Sequence, residues 1–205
     1  MRNILIIAVP RSGSTNLLNS ISSAYKFHPI FEPKPWHLHK TNLEMPSDLD
    51  KRIYNLNKKG RWEIKDNQVA KVISHPHKEF PNFYKEIINS YDETILLSRY
   101  DVKQQIESLA VLKNNKPGSR NPIRKWSEDE LIEISPDHMK YVEDIIIRDR
   151  ETIEKLSKEF NLPINYYEDV YSEKCLLNKN IKLDLEYFQK TKKCRTPSLE
   201  SKYLL

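Results

Sequence analysis

Short apolar runs alternate with amphipathic stretches along most of this chain. Asn3 to Val9 holds the continuous run ILIIAV, and Val69 to Ser74 and Thr94 to Ser98 hold two more of strand length. Runs without polar alternation predict strands covered on both faces, as in a parallel sheet. Between them, Thr15 to Tyr25 places Leu17, Leu18 and Ile21 on one side of a helix, and Phe80 to Ser90 and Val102 to Lys113 read as further helices. Pro136 opens a long helix to about Phe160, with Met139, Val142, Ile145, Ile146, Ile153, Leu156 and Phe160 near helical spacing, and Asn161 and Pro163 close it. Ile164 to Tyr167 is a short strand, and Asp48 to Lys58 is expected to be helical. Pro29, Pro33, Pro35 and Pro46 make Phe27 to Pro46 an expected irregular loop, and NNKPGSRNP (Asn114 to Pro122) is another. Strands separated by helices predict an α/β domain, a mainly parallel central sheet flanked by helices on both faces.

Composition narrows this picture only a little. With 205 residues, the chain suits a single domain spanning 1–205, well supplied with core. Thirty-four Lys and Arg against 29 Asp and Glu give a net charge of +5. That mild, dispersed excess fits an anionic ligand and gives no support for a nucleic-acid or membrane partner. Cys175 and Cys194 lie late and far apart and read as reduced thiols, with a disulfide as the alternative. The first strand begins within two residues of Met1, which predicts no signal peptide. No apolar run approaches the ~20 residues of a membrane span. A cytoplasmic protein without a membrane span is the expectation.

The chemistry concentrates where the first strand meets the first helix. ILIIAVPRSGSTNLL (Ile4 to Leu18) is a strand, a tight turn and a helix N-terminus, the arrangement that turns backbone N–H groups and the helix dipole toward a phosphate. The nucleotide loop G-x-x-x-x-G-K-[ST] would fall on Ala8 to Thr15. Gly13 and Thr15 fit it, but Ala8 replaces the first Gly and Ser14 replaces the Lys. Arg11 supplies a planar, bidentate cation instead. The loop is suited to a phosphate-bearing group other than an ordinary triphosphate.

The PRSGST turn after an opening strand resembles the 5′-phosphosulfate loop of sulfotransferases that use 3′-phosphoadenosine 5′-phosphosulfate (PAPS), closest in style to the tyrosylprotein and bacterial enzymes. Two further stretches follow in the family's order. TILLSRYDVKQQIESL (Thr94 to Leu109) is similar to the 3′-phosphate signature, in which an Arg after a strand and a Ser on the next helix hold the 3′-phosphate. These are Arg99 and Ser108, spaced one residue further apart than in the commonest version. PINYYEDV (Pro163 to Val170) is similar to the late strand ending in Y-E-D-L/V, where Glu168 and Asp169 read as capping or loop-ordering carboxylates. The resemblance implies a P-loop NTPase-like sulfotransferase fold, a PAPS cofactor and the product adenosine 3′,5′-bisphosphate. It implies cofactor contacts at Arg11, Ser12, Gly13, Ser14, Thr15, Asn16, Arg99 and Ser108, with Lys193 or Arg195 of the late basic run KTKKCR closing over the 3′-phosphate.

Sulfuryl transfer needs a proton acceptor for the attacking group and cations for the leaving oxygen. Two candidates stand for the base. Glu32, in PIFEPKPW, lies 21 residues after Arg11, close to the catalytic Glu of the tyrosylprotein-type enzymes. His75 follows Lys71 in VAKVISHPH, similar to the K-T-H element of the cytosolic enzymes with two extra residues between. Lys71 is the secondary candidate for leaving-group stabilisation, beside Arg11. His37 with His39 and His75 with His77 are H-x-H pairs, but no Cys or acidic cluster accompanies them and no metal is expected. Trp36, Trp62 and Trp126 read as packing residues, and the basic loop Lys116 to Lys125 as a cover for the cofactor or a guide for an anionic acceptor. The acceptor is a small molecule, glycan, lipid or peptide. A small-molecule or nucleotide kinase with an altered loop, and a non-catalytic nucleotide-binding homologue, are the alternative readings.

Overall fold

The structure, a computed structural model, describes residues 2–31, 67–74, 83–114, 134–172, 177 and 181–184. Five strands, β1 (Ile4–Ala8), β2 (His28–Phe31), β3 (Gln68–Ile73), β4 (Glu93–Ser98) and β5 (Ile164–Tyr166), form one sheet in the order β2-β3-β1-β4-β5. Every pairing is parallel. Helices α1 (Ser14–Tyr25), α2 (Phe83–Asn89), α3 (Val102–Asn114), α4 (Pro136–Phe160) and the single turn α5 (Tyr167–Val170) complete the described elements. The chain is α/β, as its alternating runs predict.

The unbroken apolar sequence of β1 follows from its place in the middle. Its five residues are wholly buried because alternate side chains serve two cores. Leu5, Ile7 and Val9 face one core with Ala70, Val72 and Leu96, closed by Ile87 of α2, Leu109 of α3 and Ile146 of α4. Ile4, Ile6 and Ala8 face the other with Val69, Ile95 and Leu97, closed by Leu17, Leu18 and Ile21 of α1 and by Val170. The helices therefore cover both faces of the sheet.

Topology decides where a ligand would go. From β1 the chain crosses through α1 to the edge strand β2, whereas from β4 it crosses through α3 and α4 to the opposite edge strand β5. The adjacent strands β1 and β4 thus send their connections in opposite directions. This is the switch point at which open parallel sheets hold ligands, beyond the strand C-termini.

Two local details refine the sequence reading. Residues 28–31, expected within an irregular loop, form β2, with Pro29 in register with Val69. An edge strand bonds on one side only, which is where a sheet tolerates a residue without an N–H. The long helix starts and stops where its signals stand. The Ser135 hydroxyl accepts the His138 N–H at 3.2 Å, Pro136 occupies the first turn, and Asn161 takes the left-handed closing conformation at φ 51°. The predicted helix Asp48 to Lys58 and most of the loop Asn114 to Pro122 lie outside the described residues.

Tyr91 sits in the α2–α4 core with 9% of its surface exposed, and burial pushes its phenol up to about 12. An unfolded tyrosine ionises near 10, so this group's contribution is whole below pH 10 and is lost as pH climbs through 12. Tyr91→Phe should flatten the alkaline loss of stability by roughly 2 kcal/mol between pH 9 and 12. Denaturant unfolding of both proteins at the two pH values checks it; parallel losses would contradict the assignment.

Candidate functional site

The turn after β1 is held in an unusual backbone conformation. Arg11 and Gly13 both have positive φ, 63° and 76°. The Val9 carbonyl accepts the Ser12 N–H at 3.3 Å and the Ser12 hydroxyl at 2.7 Å, and Ser12 is fully buried beneath the turn. Gly13 caps α1 with its carbonyl, which accepts the N–H groups of Asn16 and Leu17 at 3.0 and 3.1 Å. The N–H groups of Gly13, Ser14 and Thr15 have no acceptor among the described residues. Three neighbouring donors at the positive end of a helix form an anion cradle.

Gly13 is required for two reasons. Its φ disfavours a side chain, and a Cβ there would lie 2.5 Å from Cδ2 of Tyr167 and 2.6 Å from its Cε2. The Tyr171 hydroxyl donates to the Gly13 carbonyl at 2.8 Å. One helical turn at the end of β5 therefore clasps the first loop.

The same turn holds the loop after β4. The Arg99 guanidinium lies 4.7 Å over the Tyr167 ring, its Nε donates to Glu168 Oε1 at 3.3 Å, and another of its nitrogens donates to Gln104 Oε1. Glu168 also accepts the backbone N–H groups of Tyr100 at 2.9 Å and Asp101 at 3.2 Å, so its carboxylate orders the entry to α3. From α4, Arg150 donates to the Arg99 carbonyl at 2.5 Å.

Arg11 and Arg99 meet across the crevice between β1 and β4. Arg11 Nε donates to Ser108 Oγ of α3 at 2.8 Å. Desolvation lowers the Arg11 pKa, and the nearby Arg99 cation lowers it further. Both arginines also reach the same helix, Arg11 at Ser108 and Arg99 at Gln104 one turn earlier. Lys71, 7% exposed on β3, donates from Nζ to Thr15 Oγ1 at 3.1 Å. A lysine thus reaches the loop from a neighbouring strand, one residue beyond Ser14, where the nucleotide loop carries its own.

Of the residues singled out from sequence, Arg11 to Asn16, Lys71, Arg99 and Ser108 converge on this rim. Glu32, His75, Lys193, Arg195, the two His pairs, the three tryptophans, the loop Lys116 to Lys125 and both cysteines lie outside the described residues. Arg150, Tyr167 and Tyr171 hold the site and were not anticipated, nor was Gln105, which is buried next to it. Two spacings carried a signal for them: Gln105 stands one turn before Ser108 on the same helix, and Tyr167 and Tyr171 are four apart.

No family model matches the chain, and no curated protein matches it. Among solved structures, the chain is similar to an unliganded sugar kinase from Janibacter sp. over 79% of its own length and 95% of the other's. The identity is 10% and the TM-score 0.35, a likeness that carries no functional argument. Among the described residues no helix is long and apolar enough to cross a membrane, and no group of three or more His, Cys, Asp or Glu is placed to hold a metal.

Gly13→Ala should destabilise the protein by roughly 1–3 kcal/mol, through backbone strain and the contact with Tyr167. In a double-mutant cycle the cost should be smaller in a Tyr167→Ala background, where only the strain remains. Equal costs in both backgrounds would rule out the steric part.

Proposed function

We propose that the chain is a sulfotransferase that carries the sulfuryl group of PAPS to a hydroxyl or amine acceptor. One observation carries the reading. Two arginines, Arg11 and Arg99, reach one helix at Ser108 and Gln104, at the switch-point rim of a parallel sheet and beside three N–H groups that have no acceptor among the described residues. Neighbouring cations are an unfavourable arrangement that an anionic ligand relieves.

The residues present fit a ligand with two anionic ends. Arg11 and the N–H groups of Gly13, Ser14 and Thr15 would hold the 5′-phosphosulfate, supported by the turn residues Ser12 and Asn16. Arg99 and Ser108 would hold the 3′-phosphate; Ser108 accepts from Arg11 and so keeps its hydroxyl proton to donate. When bound, PAPS would supply a sulfuryl group on its 5′-phosphate; transfer breaks that S–O bond, forms an S–O bond to a hydroxyl acceptor or an S–N bond to an amine, and leaves adenosine 3′,5′-bisphosphate. Arg11 and Lys71 supply positive charge near the oxygen that becomes negative. The base that takes the acceptor's proton is Glu32 or His75.

Adenosine 3′,5′-bisphosphate should bind the free protein, and Arg11→Ala and Arg99→Ala should each weaken it by about 10- to 100-fold, the size of a lost charged hydrogen bond. Isothermal titration measures this. A response to ATP·Mg²⁺ alone would instead select the kinase alternative, and no response to the bisphosphate would remove the PAPS reading.

Lys71→Met should lower turnover of labelled PAPS more than it lowers bisphosphate affinity, and of Glu32→Gln and His75→Ala the one that removes the base should abolish turnover with binding retained. Full activity in both base variants would eliminate the assignment. Assays against a panel of sugars, lipids, peptides and small alcohols identify the acceptor.

A further inference from the structure

Gln105 is a fully buried polar side chain to which neither the fold nor the proposed chemistry assigns a part. It lies on α3, one turn before Ser108. Its Nε2 donates to the Pro10 carbonyl at 2.6 Å, while its Oε1 has no partner among the described residues. Only the NH₂ end of the amide can donate to a carbonyl, which fixes the orientation. An apolar side chain would avoid the cost of a buried acceptor left without a donor, so this amide calls for a reason.

We propose that Gln105 is a positioning residue for Arg11. The Pro10 carbonyl and the Arg11 N–H belong to one planar peptide unit. Holding that carbonyl therefore restricts rotation about the Arg11 N–Cα bond, whose φ of 63° is uphill for any residue but glycine. One turn further along the same helix, Ser108 accepts from Arg11 Nε at 2.8 Å. The inner face of α3 thus fixes Arg11 twice, by the backbone through Gln105 and by the side chain through Ser108. Both grips keep the guanidinium beside Arg99, against the repulsion between the two cations. Without Gln105 the peptide relaxes toward an ordinary φ and the guanidinium leaves the rim.

The ligand part of the test rests on the bisphosphate-binding reading, and the exchange part does not. Gln105→Leu keeps nearly the same volume and removes both the bond and the orphaned acceptor. Hydrogen exchange in the free variant should speed up about tenfold at the Ser12, Asn16 and Leu17 amides, which close the turn. Affinity for adenosine 3′,5′-bisphosphate should fall about five- to tenfold, as for one lost hydrogen bond, with the melting temperature little changed. In an Arg11→Ala background the same substitution should cost less than twofold, because the residue it positions is gone. Should Gln105→Leu not fold, Gln105→Asn, one methylene too short to reach Pro10, carries the same expectations. Unchanged exchange in a folded variant, or an affinity loss undiminished in the Arg11→Ala background, overturns the proposal. If the wild-type protein does not bind the bisphosphate, the PAPS reading falls while the exchange measurement still decides the role of Gln105.

Discussion

The pairing of β1 with β4 shapes this site, because it sets the loops that carry two arginines side by side. Ala8 is in register with Leu97, and the Val9 N–H continues the ladder to the Leu97 carbonyl at 3.0 Å, so β1 and β4 end side by side. Parallel neighbours lie about 4.8 Å apart. Arg11 and Arg99 stand only three residues and one residue past the ends of β1 and β4. Each of the two side chains is held by polar partners at the rim.

The restraints come from opposite sides of the crevice. Glu168 and the Tyr167 ring hold Arg99, and Arg150 fixes its carbonyl from below. Ser108 holds the Arg11 side chain, and Gln105 holds the peptide before it. The short turn Tyr167–Val170 serves both loops, because the ring that carries Arg99 also packs against Gly13. Tyr167 thus touches both loops. Precise placement of the guanidinium groups is the return on an arrangement that is locally strained at Arg11.

How far the site was readable varies residue by residue. Arg11, Gly13 and Thr15 stood out because a strand, a turn and a helix start in immediate succession leave few ways to fold. Arg99 stood out because the segment around it resembles the 3′-phosphate signature of the sulfotransferases. Pro29 misled, since local chain stiffness reads as a break while an edge position in a sheet accepts it. Glu168 read as a loop-ordering carboxylate on local grounds, but the loop that it orders begins at Tyr100, 68 residues away.

The chain by itself determined its α/β class, the ends of its long helix and the strand-turn-helix form of its first loop. Each of these depends on contacts between residues near in sequence, so periodicity and capping chemistry record them. Only the tertiary structure decided that β4 rather than another strand would lie beside β1, which brings the two arginines together. It alone carried Lys71 from β3 to Thr15 and gave Gln105 its hold on Pro10. Those contacts join residues 56 and 95 positions apart, and strand order, which local sequence does not encode, sets them.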